Sequence, residues 1–328
     1  MAALEKSILA TLAYFDVLDF PLTVREVTRF LINPEKFVDK KIFTRKKEEL
    51  GYGQIEEVLQ NLKLKGLVEE FLGFYFLPGK KHIYLERIER IKLAEEKWKK
   101  ARRYLFWIQS LPFIELVLAS GSLAMGHMTE NSDLDMLIVA KSGRIWTARL
   151  FVYVLFGIMG VRRRKEQIIA PDKICPNHFI TTRSLRIPCV SLYTAQLYAH
   201  LIPVYVRRKE VLDDFWRENT WIENYLQNWE HLDGYQYRHI QENKFLQKIA
   251  SLAEVVLNFM FRGKLENWAR ALQRSRVQLN LPGRITMSDQ QLEFHPNSAE
   301  GRILQKYNKT IDSWKEFGSY LELDSGLN

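Results

Sequence analysis

The first quarter of the chain alternates short amphipathic segments with brief apolar runs. Apolar residues recur at helical spacing over residues 4–16 and 54–65, and Thr23 is suited to cap a helix between them. Residues 66–77 contain two short apolar runs around a Leu-Gly turn, which predicts a β-hairpin. Three small helices followed by a hairpin indicate a winged-helix-like domain over residues 1–84.

The middle of the chain has the pattern of a small mixed α/β module. A long amphipathic segment over residues 85–108 predicts a linker helix. The elements predicted after it are a strand at Ile114–Leu118, a strand that begins at Asp133, a helix at Ile145–Phe156 and a strand at Ile174–Thr181. Residues 85–190 therefore form the predicted linker helix and a small mixed α/β module.

After Pro188 the periodicity is almost wholly helical. The predicted helices cover residues 191–206, 210–228, 244–272 and 303–317, with a looser segment at 280–300. The predicted fold class is thus α+β. It comprises an N-terminal winged-helix-like domain, a central mixed α/β module and a helical C-terminal domain over residues 191–328.

The positive charge of the chain is concentrated in the middle module. The 328 residues carry a formal net charge of +9, and 47% of them are hydrophobic. Residues 85–190 contain 18 Lys and Arg against 10 Asp and Glu, a net +8, whereas residues 1–84 carry only +1. A local basic field favours an anionic ligand such as a nucleoside triphosphate or a nucleic acid. An inert basic surface is the alternative interpretation.

Cysteine content and hydropathy predict a cytoplasmic protein without membrane contact. Cys175 and Cys189 form neither a disulfide framework nor a metal-binding spacing. The most apolar stretch, residues 145–161, contains Arg149 and is shorter than the roughly 20 residues of a membrane span, so we expect a buried helix there.

DNA binding through the winged-helix-like domain is disfavoured by its charge. The third helix would read the DNA, but its exposed positions include Glu56, Glu57 and Gln60. Lys and Arg that neutralise phosphates supply most non-specific affinity for DNA. The basic run at residues 40–47 is the observation that opposes this view. We expect a structural or protein-contact role for the domain.

Two aspartates at the start of an apolar strand are the strongest chemical signal. Asp133 and Asp135 are separated by one residue, so their side chains point to the same side of a strand. Neighbouring carboxylates near a core are costly without a cation, and Mg²⁺ prefers oxygen ligands. Gly121 and Ser122 end the preceding strand, where glycine permits close approach of the backbone to a phosphate.

The pattern Gly-Ser, ten residues, Asp-x-Asp resembles the DNA polymerase beta superfamily of nucleotidyltransferases. The resemblance implies that Gly121 and Ser122 bind the triphosphate. It also implies that Asp133 and Asp135 are the metal ligands and catalytic carboxylates for Mg²⁺ or Mn²⁺, with an NTP as substrate. The structural alternative is that Asp133 caps a turn and Asp135 pairs with an arginine.

Most of the chain also resembles a group of predicted bacterial and archaeal nucleotidyltransferases that have an N-terminal winged-helix-like domain. The residues that carry this resemblance include Gly121–Met125, Ser132–Asp135, Arg162–Arg163 and Cys175–Phe179. Ser132 and Arg163 are accordingly further candidates for nucleotide binding. The basic cluster around Arg163 could hold a triphosphate or a polyanionic acceptor, and a solvated turn is its alternative.

The third carboxylate that this superfamily uses on a later strand is not evident. The corresponding position is occupied by Asn177, a neutral ligand and a poor base. Glu166 and Asp172 lie in the preceding loop, and His178 is either a base or an ordinary hydrogen-bonded histidine. The missing acid comes from elsewhere, or catalysis is slow, or the site binds nucleotide without turnover.

The sequence therefore supports two functions. The first is transfer of a nucleoside monophosphate from an NTP to a hydroxyl of an RNA end, a protein or a small molecule. The second is a catalytically weak or inactive relative that binds nucleotide or serves as an interaction module.

Overall fold

The structure is a computed structural model that describes most of the chain. The described residues are 1–37, 50–164, 167, 169–188, 190–229, 238–275, 284–295 and 298–314. Three sequence predictions lie outside them: the basic run at 40–47, the acid Glu166 and the thiol of Cys189. Among the described helices, none combines the length and the apolar composition needed to cross a bilayer.

The described part of the N-terminal region contains three α-helices, a short 3-10 helix at Pro34–Phe37 and a small antiparallel sheet. Its elements are α1 (Ala3–Asp16), β1 (Leu22–Thr23), α2 (Val24–Arg29), α3 (Tyr52–Leu64), β2 (Glu69–Phe71) and β3 (Phe74–Phe76), and the strand order is β1-β3-β2. Thr23 caps α2 as predicted, because its Oγ1 accepts a hydrogen bond from the backbone N–H of Glu26. The predicted hairpin is confirmed as β2 and β3.

The central elements follow the order that the sequence predicts. They are α4 (Ile83–Leu105), β4 (Ile114–Ala119), α5 (Gly121–Met125), β5 (Leu134–Ala140), α6 (Ile145–Ile158) and β6 (Ile174–Thr181). Arg149 lies buried in α6, and its Nη1 donates to Gln273 Oε1 at 2.6 Å. The most apolar stretch is therefore a packed helix whose one charge has a buried partner.

The C-terminal region is not wholly helical, so that prediction is wrong. Its elements are α7 (Leu192–Ala199), β7 (Ile202–Val206), α8 (Lys209–Glu218), α9 (Lys244–Phe261), α10 (Lys264–Arg274), β8 (Arg284–Met287), β9 (Gln291–His295) and α11 (Glu300–Ser313). Pro203 ends the helix predicted over 191–206, and an edge strand tolerates a proline. Arg262 and Gly263 adopt positive φ and divide the helix predicted over 244–272.

Six strands form one mixed sheet in the order β7-β4-β5-β6-β9-β8, in which only β5 and β6 run parallel. Strands on both sides of the predicted domain boundary at residue 190 share this sheet. One face packs against α4, α6 and α10, and the other packs against α1, α7 and α11. Leu137 belongs to the second face, where the carboxyl group of Asp135 also lies near α7. The overall class is α+β, as predicted.

Candidate functional site

The two predicted aspartates lie at the start of β5. Asp133 precedes the strand and Asp135 is its second residue. Asp133, Asp135 and Cys175 each offer one ligand atom, and these three atoms lie within 4.8 Å of one another. Within the described ranges, no other set of His, Cys, Asp or Glu side chains meets this condition. The structure thus brings the aspartates together and adds a thiol that the sequence interpretation missed.

Gly121 lies against Asp135. Its φ is +61°, and a Cβ atom at this position would lie 2.8 Å from Asp135 Oδ2. The neighbouring backbone N–H of Ser120 donates to the carbonyl of Asp135 at 3.0 Å. Because glycine alone combines positive φ with this contact, the residue type at 121 lets the turn after β4 approach the carboxylate.

Ser122 and Ser132 both have local hydrogen bonds in the turn between α5 and β5. Ser122 Oγ lies 3.2 Å from Met128 Sδ, and Ser132 Oγ accepts from the backbone N–H of Thr129 at 3.0 Å. Neither hydroxyl contacts the aspartates in this arrangement, so each must leave its present partner to reach a ligand. The side-chain roles predicted for these serines remain predictions.

A buried lysine forms hydrogen bonds with the same turn. Lys97 Nζ donates to the carbonyls of Glu130 and Ser132 at 2.9 Å each and forms an ion pair with Asp172 Oδ1 at 2.9 Å. Lys97 is only 2% exposed, which makes these contacts expensive to break. Asp172 therefore forms ion pairs with Lys97 and Lys100, so we do not assign it as the third acid of the site.

Asn177 lies at the position expected for the third carboxylate. Its Nδ2 donates to Asp135 Oδ1 at 2.8 Å, and the side chain is buried. Its Oδ1 is also buried and has no hydrogen-bond partner in the described structure. An unpaired buried oxygen on a side chain that contacts Asp135 fits a site that accepts a cation, because a bound Mg²⁺ would give this oxygen a partner.

The parallel pairing of β5 with β6 explains why both Cys175 and Asn177 reach Asp135. Asp135 pairs with Cys175, whereas Leu137 pairs with His178, so β6 has one extra residue between these two pairs. Cys175 and Asn177 share a face as alternate residues of a strand, and the bulge also brings His178 to this side of the sheet. Burial raises the pKa of the Cys175 thiol well above its usual range, and the two aspartates add to this effect.

The two aspartates have different electrostatic surroundings. Burial raises the pKa of Asp135 to about 7, and the charge of Asp133 contributes in the same direction. Arg163 opposes this shift. Asp133 itself is paired with Arg163, whose Nη1 donates to Asp133 Oδ2 at 2.5 Å. The site therefore has one carboxylate with a cationic partner and one whose proton is retained to near-neutral pH.

Arg163 is anchored in the loop before β6. Its backbone N–H donates to the carbonyl of Ile174 at 2.9 Å, and its Nη2 donates to the carbonyl of Gln167 at 3.2 Å. The adjacent Arg162 lies over the ring of Tyr153 instead, at 4.8 Å from the ring centroid. Among the described residues of the predicted basic cluster, Arg163 is thus the member whose guanidinium contacts an aspartate.

A cavity of about 200 Å³ adjoins Asp135 between the sheet and α7. Its lining residues are Ser120, Gly121, Asp135, Leu137, His178, Tyr193, Leu197, Tyr198, Arg284, His295, Ser298 and Ala299. The aromatic and basic residues of this wall lie in segments for which the sequence predicts a helix or an irregular conformation. The sequence interpretation therefore missed most of the cavity wall.

The two histidines of the cavity are neutral and hydrogen-bonded. Burial lowers the pKa of His178 to about 3 and that of His295 to about 4. His178 lies between Tyr198 Oη at 3.3 Å and Gln291 Nε2 at 3.2 Å. His295 Nδ1 is 3.3 Å from Asn177 Nδ2. These contacts favour the interpretation of His178 as an ordinary hydrogen-bonded histidine.

A buried acid also lies on this face of the sheet. Glu293 on β9 pairs with His178 across the strands and is 1% exposed. Its Oε1 accepts from Arg284 Nε at 2.7 Å. Glu293 thus has its own cationic partner and does not belong to the group formed by Asp133, Asp135 and Cys175.

Comparison of the chain with models of known protein families, with curated proteins and with solved structures gives no match.

Proposed function

We propose that this chain is a metal-dependent nucleotidyltransferase that moves a nucleoside monophosphate from an NTP to a hydroxyl acceptor. The acceptor is an RNA end, a protein side chain or a small molecule. The observation that carries the proposal is the contact between the backbone of Gly121 and the carboxylate of Asp135, beside Asp133. This arrangement puts a backbone suited to phosphate and a pair of metal-ligating carboxylates at one point.

The oxygen atoms at the site suit Mg²⁺ or Mn²⁺. Asp133 and Asp135 would hold the cation, and the unpaired Oδ1 of Asn177 offers a neutral oxygen next to them. When bound, such a cation neutralises charge on the triphosphate and lowers the pKa of a hydroxyl acceptor. The Cys175 thiol adds a softer ligand, which favours Mn²⁺ over Mg²⁺.

The remaining roles belong to side chains around the aspartates. Arg163 is 32% exposed at its side chain, so its guanidinium can turn from Asp133 to a triphosphate oxygen. The cavity beside Asp135 has polar groups from Tyr193 and His295 on its wall, and it is suited to a nucleoside or a polar acceptor. Because His178 is neutral and doubly hydrogen-bonded, we assign it to the wall and not to proton transfer.

The residues at 1–84 are proposed to form a winged-helix-like domain with a structural role. Arg87 of α4 is buried, pairs with Glu26 Oε1 at 2.7 Å and donates to the carbonyls of Met125 and Gly126. These bonds join α2 to the end of α5, next to the candidate site. These contacts within the chain support the structural role. A DNA-binding role would instead be supported by a salt-dependent gel shift with the full chain.

Labelled nucleotides test the proposal directly. The full chain is incubated with each labelled NTP, Mg²⁺ or Mn²⁺ and a cell extract, in parallel with the Asp133→Ala/Asp135→Ala double variant. We expect label transfer by the wild type and not by the variant. Transfer or NTP binding that is equal in both proteins would contradict the proposal.

A second function is favoured by Asn177. A neutral residue at the expected third-acid position leaves the site with no evident general base among the described residues. The alternative is a nucleotide-binding or interaction module that turns over slowly or not at all. Calorimetry and a pyrophosphate assay distinguish the two, because tight metal–NTP binding without pyrophosphate release supports the module, and steady release excludes it.

A further inference from the structure

Helix α9 is apolar on two faces, only one of which is covered. Leu246 and Ala250 are buried against the rest of the molecule, and Glu254 on the same side accepts from the backbone N–H of Phe113 at 2.9 Å. The other face carries large apolar side chains that remain exposed. A helix that is apolar on more than one side is normally buried on both.

The exposed face has the spacing of a coiled-coil seam. Phe245, Ile249, Leu252, Val256 and Phe259 follow one another at intervals of four, three, four and three residues. This is the heptad pattern with which one helix packs against another. The side chains of Phe245, Leu252 and Phe259 are 71%, 66% and 78% exposed. The seam is therefore continuous along the helix and ready for a helical partner.

The exposed area is that of one side of a protein interface. Phe245 and Phe259 together expose on the order of 300 Å², taking roughly 150–250 Å² per aromatic side chain. With Ile249, Leu252, Val255, Val256 and Met260, which are also exposed, the total is on the order of 700 Å². The largest apolar patch of a typical monomer is about 300–600 Å², and a standard interface buries about 800 Å² per partner.

We propose that α9 pairs with α9 of a second copy of this chain, antiparallel and with Leu252 at the two-fold axis. A two-fold contact requires a self-complementary surface. The seam meets this requirement, because Phe245 and Phe259 lie seven residues on either side of Leu252. Each phenylalanine of one copy thus meets the other phenylalanine of the second copy.

Charge complementarity at the helix ends supports this orientation. Glu242 lies two residues before α9 and Arg262 directly after it, so they flank its two ends, and both are exposed. An antiparallel pair brings Glu242 of each copy near Arg262 of the other. A parallel pair would instead align like charges. Lys248 lies about 12 Å along the axis from its own counterpart, beyond the screening length of about 8 Å at physiological salt.

The oligomeric state of the full chain tests this pairing. Sedimentation equilibrium of the wild type is expected to give a dimer, and Leu252→Glu is expected to raise its dissociation constant more than about tenfold, since two charges would meet at the axis. The matched control is Ile158→Glu, an exposed position on α6 that should leave the dimer intact. Thermal melts check that both variants remain folded.

Single cysteines test the orientation. Leu252→Cys is expected to form an intermolecular disulfide on mild oxidation, whereas Phe245→Cys is not, because its counterpart would lie about 21 Å away along the axis. Glu242→Arg and Arg262→Glu should each weaken the dimer, and the two together should restore it.

A wild-type chain that stays monomeric would overturn the proposal. Binding of the monomer to vesicles of anionic lipid would overturn it as well, because the exposed face of α9 would then be a membrane contact. Equal crosslinking through residues 245 and 252 would overturn the antiparallel orientation. None of these measurements depends on nucleotide chemistry. The dimer proposal can therefore fail while the proposed transferase activity holds, and the reverse is also true.

Discussion

Arg163 forms an ion pair with Asp133 and lies 3.9 Å from the sulfur of Cys175. Its guanidinium therefore contacts two of the three groups that could hold a metal. A divalent cation bound by Asp133 would compete with Arg163 for the negative charge of this carboxylate. In the proposed function, the arginine is the cation that neutralises Asp133 until metal and nucleotide bind.

This competition predicts opposite effects for one substitution. Arg163→Gln should raise the affinity for Mn²⁺ alone by about fivefold, since an ion pair of this kind contributes about 1 kcal/mol. The same change should weaken binding of the nucleotide, which loses a partner for its phosphates. Calorimetric titration with Mn²⁺ and then with Mn²⁺–NTP measures both effects.

The matched control is Arg162→Gln, because Arg162 packs over Tyr153 and is not paired with either aspartate among the contacts described above. Metal and nucleotide affinities should change little in this variant. If Arg163→Gln weakens metal and nucleotide binding together, the arginine supports the site and does not compete with the metal.

Gly121 and Gly126 provide a paired test of the contact with Asp135. Both have positive φ, but a Cβ at 121 would meet Asp135 Oδ2 at 2.8 Å, whereas nothing lies within 4 Å of one at 126. Each change to alanine should cost about 1–2 kcal/mol for the backbone alone. Only Gly121→Ala should also weaken Mn²⁺ binding, as measured by calorimetry. Equal Mn²⁺ affinity in the two variants would show that the close approach of residue 121 to Asp135 is not needed for metal binding.

Asp135 should make the fold less stable as the pH rises. Burial raises its pKa from 3.8 to about 7, so the folded chain binds this proton more tightly than the unfolded chain does. The resulting stability is complete below pH 4 and is lost as the pH rises through 7. Asp135→Asn should therefore melt at a similar temperature to the wild type at pH 4 and a few degrees above it at pH 8.

Mn²⁺ supplies the control for this pH series. At pH 8 the cation should raise the Tm of the wild type more than that of Asp135→Asn, because the variant lacks one of the two carboxylate ligands. A variant that is less stable than the wild type at pH 8 without metal would contradict the assignment of a strained, buried carboxyl group.

Asn177→Asp restores the acid that the superfamily resemblance leads one to expect. A third carboxyl group 2.8 Å from Asp135 should lower the Tm in the absence of metal and tighten Mn²⁺ binding. Under the enzyme hypothesis, pyrophosphate release should also increase. Asn177→Leu is the control, since it removes both polar atoms without adding charge, and it should bind Mn²⁺ more weakly than either of the others.

The sequence was sufficient for the local arrangement around the aspartates. The spacing of Gly121 from Asp135 and the strand-like run after Asp133 predicted adjoining elements, and β4, α5 and β5 bring these residues together. Cys175 could have been predicted with them, because it lies two residues before Asn177 and alternate residues of a strand share a face. The bulge in β6 that also brings His178 to this face has no clear signal in the sequence.

The part of the cavity wall that β8 and β9 contribute could not be predicted in the same way. Arg284 and His295 reach the cavity only because β8 and β9 pair beside β6, more than 100 residues along the chain. Such short strands have weak periodicity, and their pairing is decided by contacts distant in sequence. For the same reason the periodicity predicts Ile202–Val206 as the end of a helix, although it forms an edge strand next to β4.

Asp133 and Asp135 are proposed to bind a divalent cation together with a nucleotide. Calorimetric titration of the full chain with Mn²⁺ and a non-hydrolysable NTP analogue measures this binding, with Asp133→Asn/Asp135→Asn as the comparison. We predict saturable binding of at least one of the four nucleotides by the wild type, and its loss in the double variant. Binding that is unchanged in the variant, or no binding of any nucleotide by the wild type, would contradict the claim.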